Sequence, residues 1–415
     1  MLGDQAMADL GCGAVTRENR IPIHDEVQLV HWWVTDGEKA GLDLLRDNLH
    51  SEQVAFHDLA IAGGANLNAH VQTAIENGLL PGAAVTSGFG AWDWAAQAVL
   101  ADLSDLAAEA GWSNIIPDAL QKFCKYQDRW IGVPVALHSI NWLWINSGAA
   151  KTIGVRRPPA TMAELFSALK LAKQAGIVPM AMGAAPWLIA TLFDCVVMAT
   201  NGLDFYKRAF VDLSTATLTS SAMTEAFENL ATLADFANTD YSRLSWNDAT
   251  DMVVNGRALL QVSGDWAKAE FRAARKTEGD DYRCIRFPGT EGTVIFNADI
   301  ICMFKTAPRH RPAQMKLAKA IMGRSFQSSF NDAKGAAPVR LDIDIDAFDA
   351  HGKRAIADVR TASSGKTLIG AMSHGYIQPT HIQNTYLDVA TMVFHGDLAA
   401  DKAGKAFVDL IGATP

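Results

Sequence analysis

Two adjacent tryptophans, Trp32 and Trp33, close the short alternating strand that we predict over Val27–Trp33. A pair at the end of a strand, just before a turn, is expected at the rim of an open α/β sheet, where ligands bind in such folds. Indole covers a flat C–H face well, and the axial hydrogens of a pyranose offer such a face. The chemistry that these residues favour first is therefore sugar binding.

Length and charge limit the classes of protein to consider. The chain has 415 residues, too many for one ordinary core, so we expect two lobes. Its composition, 49% hydrophobic and 20% charged, is that of a globular protein outside a membrane. The formal net charge of −9 argues against nucleic acid or an anionic membrane as the main partner.

The N-terminal segment has no evident targeting signal. The first 25 residues lack the basic start and apolar run of a signal peptide. We interpret residues 1–26 as a leader, or as a remnant of cloning, and predict that they are disordered. The longest apolar stretch, Trp187–Thr200, is broken by Asp194 and is shorter than the roughly 20 residues of a membrane helix.

Strand and helix patterns alternate from residue 27 to about 135. The predicted elements are strand Val27–Trp33, helix Glu38–Asn48, strand Val54–Ala62, helix Asn66–Asn77 and strand Ala83–Thr86. Strict alternation of this kind predicts a mostly parallel sheet with helices on both faces, the α/β class.

Two later apolar runs, Trp130–Asn146 and Thr293–Lys305, are longer than a typical strand of about five or six residues. Such runs can cross from one lobe to the next. The pattern therefore predicts two α/β lobes joined by two or three crossing strands, a hinge that closes on a ligand. We assign residues 27–136 and 297–338 to an N-terminal lobe, and 137–296 and 339–415 to a C-terminal lobe.

Several strings that look catalytic do not fit their motifs. Ser364–Thr367 ends like a phosphate-binding loop, but Arg360 stands where the first glycine belongs. A glycoside hydrolase needs two facing carboxylates, and although Asp265 and Asp299 are candidates, no spacing singles out a pair. We therefore predict no catalytic residues, no metal and no cofactor.

Nine strings along the chain resemble, in order, the periplasmic sugar-binding proteins of ABC importers (extracellular solute-binding family 1), most closely their glucose-type branch. They span about residues 27–395 and are HWW at 31–33, AGG at 62–64, LHSINWLWIN at 137–146, PWLIATLF at 186–193, WNDAT at 246–250, GDWAKAEF at 264–271, FNAD at 296–299, KGAAPVR at 334–340 and HGYIQP at 374–379. The resemblance implies a two-lobed, Venus-flytrap fold with sugar in the cleft and a hinge of crossing strands.

The resemblance, together with the residue types, gives the predicted sugar-binding positions. They are Trp32, Trp33, Glu38, Ser87, His138, Trp246, Trp266, Asp299, Lys334 and His374. Tryptophan would supply apolar contact, and the charged residues would bond sugar hydroxyls, since charged partners form roughly twice as strong a bond as neutral ones. Relatives often carry a long polar residue after the third strand, where this chain offers only Ser87. The pocket then has room for another aldose or a disaccharide.

Structural roles stand beside several of these assignments. Trp266 lies in a Gly-Asp-Trp turn, which favours an exposed indole, whereas Trp246 can equally anchor a helix in the core. Asp299 lies inside an apolar strand, where an acid is costly unless paired, so a buried salt bridge is the alternative. Glu38 can simply favour a helix N-terminus, and His138 can line the cleft or pack in the hinge.

We predict a non-enzymatic, monomeric solute-binding protein that captures a monosaccharide, glucose or a close aldose. Its partners would be that sugar and the permease subunits of an ABC importer, with no nucleic acid. The predicted location is the periplasm or another extracytoplasmic site, with or without a lipid anchor. Two alternatives stay open: a binding protein for a disaccharide, oligosaccharide or polyol, and an extracytoplasmic glycoside hydrolase.

Overall fold

The computed structural model describes residues 25–413, so the predicted leader lies, except for its last two residues, outside the described residues. The strands are β1 Asp25–His31, β2 Val54–Ala60, β3 Ala83–Thr86, β4 Lys125–Tyr126, β5 Arg129–Trp130, β6 Gly132–Ser139, β7 Trp142–Asn146, β8 Val178–Met180, β9 Ala258–Ser263, β10 Tyr282–Arg286, β11 Val294–Met303 and β12 Leu368–Gly370.

Helices surround these strands. They are α1 Asp36–Ser51, α2 Gly64–Glu76, α3 Gly90–Ala96, α4 Ser104–Glu109, α5 Trp112–Ile115, α6 Asp118–Cys124, α7 Ser147–Thr152, α8 Met162–Gln174, α9 Pro186–Tyr206, α10 Thr215–Leu218, α11 Ser221–Ala234, α12 Trp246–Val254, α13 Ala267–Ala273, α14 Arg311–Met322, α15 Arg324–Lys334, α16 Ala350–Gly365, α17 Thr380–His395 and α18 Ala400–Ala413.

The first lobe is built on a six-stranded sheet. β1 pairs in parallel with β2 and β3, as the alternating pattern predicted. β11 runs antiparallel to β3 and β6 and parallel to β12, so the sheet as a whole is mixed. β1 ends at His31, which places Trp32 and Trp33 just beyond the strand rather than within it.

The second lobe has a four-stranded sheet, β10-β7-β9-β8, covered mainly by helices. The longest of these, α9, carries a run of buried apolar residues from Leu188 to Met198. By length and composition alone, Pro186–Val211 passes as a candidate membrane span. Because most of it is buried in the core of the second lobe, α9 is the central helix of this fold.

Three crossing segments connect the lobes. The first, residues 140–141, joins β6 of the first sheet to β7 of the second, so the long run Trp130–Asn146 does cross as predicted. The second, residues 287–293, returns from β10 to β11. The third, residues 371–379, runs from β12 to α17, which packs in the second lobe.

Asn141 ties the first two crossing segments together. Its side-chain amide is fully buried and donates to Thr290 Oγ1 at 2.9 Å and to the carbonyl of Thr293 at 3.0 Å. Its Oδ1 accepts from the backbone N–H of Ile295 at 3.2 Å. A buried amide satisfied on both sides fixes the two chains where they pass between the lobes.

The residue ranges that we assigned to the lobes stay a prediction. One stretch packs differently from that division: Val339, Ile343 and Phe348 lie in the core of the first lobe, and β12 belongs to the first sheet. From about residue 380 onward, α17 and α18 contribute Tyr386 and Phe407 to the core of the second lobe.

Candidate functional site

Asp299 is the centre of a buried charged cluster made by Glu38, His138, Asp265, Asp299 and Lys334. It lies on β11 and is 3% exposed. The pairing of β11 with β6 shifts register between Asp299 and Ile300, an irregularity of the kind that re-aims side chains next to functional sites. The Oδ2 atom of Asp299 accepts from Trp33 Nε1 at 2.9 Å and from Lys334 Nζ at 2.7 Å.

Lys334 brings a positive charge to this cluster from the last turn of α15. Cations are favoured at a helix C-terminus because the unpaired carbonyls there carry partial negative charge. Gly335 ends the helix with φ of +85°, and a Cβ at that position would lie 2.4 Å from the carbonyl oxygen of Asp265. Glycine therefore lets the end of α15 meet the second lobe.

Glu38 enters the cluster through the N-terminal cap of α1. Its Oε2 accepts from the backbone N–H of Val34 at 3.1 Å and of Thr35 at 3.3 Å, and Thr35 Oγ1 accepts in return from the N–H of Glu38. This capping box accounts for the Glu at that position. Its other oxygen, Oε1, lies 3.8 Å from Lys334 Nζ, so the capping role and a place beside the cluster coexist.

His138 links the two lobes within the cluster. Its Nδ1 lies 2.5 Å from Asp265 Oδ1 in the second lobe, and its Nε2 lies 3.6 Å from Asp299 Oδ2 in the first. The second oxygen of Asp265 accepts from the N–H of Ser139 at 2.8 Å. Burial alone would lower the pKa of His138, but the two carboxylates outweigh it and raise that pKa.

The same balance holds for Asp299. Burial disfavours its charged form, but Lys334 and His138 outweigh burial and lower the pKa of Asp299 well below the usual value. Asp299 is therefore ionised at neutral pH. The cluster combines three acidic side chains with Lys334 and a histidine that favours the imidazolium, which makes it rich in hydrogen-bond acceptors for a ligand that donates.

Trp33 packs against the cluster and contacts Asp299 and Lys334. It is fully buried, stacks on His31 with ring centroids 5.4 Å apart, and meets Phe330 edge-on at 5.4 Å. Lys334 Nζ lies 4.8 Å from the centre of its ring, a cation–π geometry. The structure therefore shows Trp33 fixing Asp299 and Lys334, while its contact with sugar stays a prediction.

An aromatic wall formed by Trp187, Trp266 and His374 lies on the second-lobe side of the cluster. Trp266 has its ring centroid 5.4 Å from that of His138, 5.8 Å from Trp187 and 5.8 Å from His374. Trp266 is 7% exposed, and its Nε1 has no partner among the described residues. An unpaired buried N–H costs free energy, so this donor is suited to a ligand oxygen.

His374 lies at one end of the aromatic wall and contacts Thr191. Its Nε2 lies 3.1 Å from Thr191 Oγ1, and its ring centroid lies 5.6 Å from that of Trp187. Burial, with His138 as a further repulsive charge, lowers the pKa of His374 to about 3. The imidazole is therefore neutral at physiological pH and can both donate and accept a hydrogen bond.

We expect this neutral, partly buried histidine to make the protein sensitive to acid. An unfolded histidine titrates near pH 6.5, so as pH falls below that value the unfolded state binds a proton that the folded state refuses. Between pH 7 and pH 5 the free energy of unfolding should fall by about 2 kcal/mol from this group. Urea titrations should show a smaller loss in His374→Gln than in the wild type. The exposed control, His57→Gln, should follow the wild-type curve, and an equal loss in all three would contradict the assignment.

The predicted residues Trp32 and Trp246 lie in different surroundings. Trp32 is half-buried at the rim, where Cζ3 of its ring would lie 3.8 Å from a Cβ at Gly64. Trp246 begins α12 and packs against the second core, and its carbonyl accepts from Thr250 Oγ1 at 3.0 Å. Its surroundings are those of a helix anchor, and its contact with sugar stays a prediction.

Ser87 lies where the first lobe meets the third crossing segment. Its Oγ is 3.5 Å from the carbonyl oxygen of His374. The neighbouring Phe89 N–H donates to the carbonyl of Gly375 at 2.9 Å, and a Cβ at Gly88 would lie 1.9 Å from that same oxygen. The side chain of Ser87 is thus adjacent to the backbone of His374 rather than to its imidazole.

Three residues at this site are not among the predicted sugar-binding positions. Asp265 was considered only as one of a catalytic pair, whereas it holds His138 and Ser139. Trp187 and Thr191 lie four residues apart on α9 and so share the face that meets His374. That i, i+4 spacing was visible in the sequence, but its partner was not.

The arrangement is suited to holding a polar ligand, and no reaction is suggested by it. Both oxygens of Asp265 are occupied by histidine and backbone donors, whereas the hydrogen bonds of Asp299 with the described residues all fall on Oδ2, which leaves Oδ1 for a ligand. Within residues 25–413 no group of three or more His, Cys, Asp or Glu is placed to hold a metal ion.

Comparison with known proteins agrees with this geometry. The profile of a family described as bacterial extracellular solute-binding protein matches residues 58–323. The chain is 43% identical over 390 residues to a probable sugar-binding periplasmic protein of Mesorhizobium japonicum, which covers 94% of this chain and 93% of that protein.

Solved structures show the same fold. A chitin oligosaccharide binding protein superimposes with a TM-score of 0.80 at 19% identity, covering 94% of this chain and 98% of that one. The bacterial solute receptor AcbH, described as having an exclusive preference for β-D-galactopyranose, superimposes with a TM-score of 0.78 at 17% identity, covering 94% and 99%. The two-lobed α/β fold predicted from the sequence is confirmed.

Proposed function

We propose that this chain, which belongs to the bacterial extracellular solute-binding proteins, captures a monosaccharide between its lobes and delivers it to an ABC importer. Glucose or a close aldose is the proposed ligand. The resemblance found in the sequence is confirmed at the level of the family. Because the family consists of binding proteins, the glycoside hydrolase alternative is set aside.

The observation that carries the proposal is the meeting of donors, acceptors and indole rings from both lobes. Glu38, Asp299 and Lys334 come from the first lobe, and Asp265 and Trp266 from the second. Each sugar hydroxyl that leaves water unpaired costs on the order of 1–3 kcal/mol, so a sugar site must offer many polar partners. A ligand held from both sides stabilises the closed form through its contacts with the second lobe.

A short ligand is favoured over a long one by the closeness of the aromatic wall. The ring centroid of Trp266 lies only 5.4 Å from that of His138 in the cluster, and Trp187 and His374 pack beside Trp266 at 5.8 Å. The curated relative supports sugar as the class, since it is described as sugar-binding. We further propose that the protein acts outside the cytoplasm, as a monomer, with the importer's permease as its partner.

Thermal unfolding in the presence of single sugars tests the proposal. The panel is D-glucose, D-galactose, D-xylose, L-arabinose, maltose, cellobiose and sorbitol. At a concentration about 1,000 times Kd, a bound ligand adds about 4 kcal/mol to the free energy of unfolding, which raises Tm by several degrees. We expect one monosaccharide to do so. A shift with maltose or cellobiose alone would overturn the monosaccharide assignment, and no shift with any sugar would overturn sugar binding at this site.

A further inference from the structure

Asp194 is a buried acid whose place in the fold the proposed function does not yet use. It lies in the middle of α9, is fully buried, and has no ion pair among the described residues. Its carboxylate is held by donors alone: the hydroxyls of Tyr206 and Tyr386, each 2.8 Å from Oδ1, and the N–H of Ser373, 3.0 Å from Oδ2. Burying a carboxylate costs free energy, so an acid at this position is expected to have a role.

The face of α9 that carries Asp194 runs along the third crossing segment. Trp187, Thr191 and Asp194 are spaced i, i+4 and i+7, so they lie on one side of the helix. Trp187 and Thr191 contact the imidazole of His374, and Asp194 accepts from the backbone of Ser373. One helix face therefore contacts both the side chain of His374 and the chain just before it.

A second bond holds the same stretch of backbone. The hydroxyl of Tyr206 donates to Asp194 and accepts from the N–H of Met372 at 3.1 Å. The backbone N–H groups of Met372 and Ser373, the two residues before His374, are thus bound to the second lobe through Tyr206 and Asp194. The next residue, Gly375, is bound to the first lobe by the N–H of Phe89. His374 therefore lies between two residues bound to the second lobe and one residue bound to the first.

We propose that Asp194 is a positioning residue for the sugar site: it fixes the backbone at Met372 and Ser373 so that the imidazole of His374 faces the ligand. This rests on the proposed function for its effect on affinity. A carboxylate serves here because it accepts from all three donors, whereas an asparagine amide turns N–H groups toward one of them. Burial raises the pKa of Asp194 to about 6, so the acceptor form prevails at neutral pH.

Two tyrosine variants give a matched test. Tyr206→Phe and Tyr386→Phe each remove one 2.8 Å bond to Asp194 Oδ1, but only Tyr206 also holds Met372. With the monosaccharide that stabilises the wild type, calorimetry should show about a fivefold to tenfold weaker affinity in Tyr206→Phe. Tyr386→Phe should stay within about twofold of the wild type. Asp194→Asn should weaken binding by at least about tenfold.

Equal affinities in the two tyrosine variants would overturn the proposal, and this comparison stands even where Asp194→Asn does not fold. A second measurement is the NMR signal of the His374 ring, assigned through its loss in His374→Gln. Ring currents from Trp187 and Trp266 make its chemical shift sensitive to position, so we expect it to move in Tyr206→Phe and not in Tyr386→Phe. If no sugar binds the wild type, the proposed function fails, and this shift alone decides whether Asp194 and Tyr206 place His374.

Discussion

Asp299→Asn should weaken sugar binding strongly and cost about 3–5 kcal/mol of stability, because the buried ammonium of Lys334 loses the nearer of its two carboxylates and keeps only Glu38 Oε1 at 3.8 Å. The carboxylate accepts from Lys334 Nζ at 2.7 Å and from Trp33 Nε1 at 2.9 Å, and at 3% exposure it is shielded from solvent. We expect affinity to fall by at least about 100-fold, since a charged acceptor and the position of Lys334 are lost together. Calorimetric titration and urea unfolding measure the two effects.

A double variant separates binding from stability. Asp299→Asn combined with Lys334→Met also removes the buried ammonium of Lys334. Most of the lost stability should therefore return, while binding does not. The exposed control is Asp346→Asn. The carboxylate of Asp346 pairs with Lys353 and is 87% exposed, so its loss should change the free energy of unfolding by less than about 1 kcal/mol. Full affinity in Asp299→Asn would exclude Asp299 from the sugar site.

Trp266→Ala should weaken sugar binding by about 100-fold, or about 2.7 kcal/mol, through loss of the indole face and of its free N–H. The ring contacts His138, Trp187 and His374, so its removal opens the aromatic wall on the second-lobe side. The change in tryptophan emission on adding sugar should also shrink, since Trp266 is one of the indoles that we place at the ligand. Fluorescence titration measures both quantities.

Trp112 supplies the matched control for Trp266. It too is buried, at 1% exposure, with its Nε1 lacking a partner among the described residues, but it packs against Trp130 in the first core. Truncating either indole to alanine should cost about 3–5 kcal/mol of stability. Only Trp266→Ala should lose sugar. Equal affinities in the two variants, measured where both are folded, would remove Trp266 from the site.

Much of the architecture was predictable because it is local. The alternating elements after residue 27 and the long run Trp130–Asn146 follow from hydrophobic period and length, which act within a few residues. Glu38 was also recognisable, since a capping box is a short-range motif. Element boundaries were less predictable: β1 ends at His31, two residues before the predicted end at Trp33, so both tryptophans lie beyond the strand.

The parts of the site that the sequence did not predict depend on distant partners. Trp33 is buried because Phe330 and Asp299, both more than 260 residues away, close over it, and no local pattern announces such contacts. Asp265 matters because the fold brings His138 to it. An acid in a strand predicts that some partner exists, but only the tertiary structure says which one.

The close approach of Gly88 to the third crossing segment also limits how the ligand preference of this protein can change. Even a methyl group there would collide with the carbonyl of Gly375, the residue that follows His374, and would push the third crossing segment off the first lobe. Drift toward a new sugar therefore cannot use position 88, whereas the neighbouring Ser87, a predicted sugar-binding position, is only half-buried. Libraries that aim to retune this receptor should keep that glycine and randomise around it.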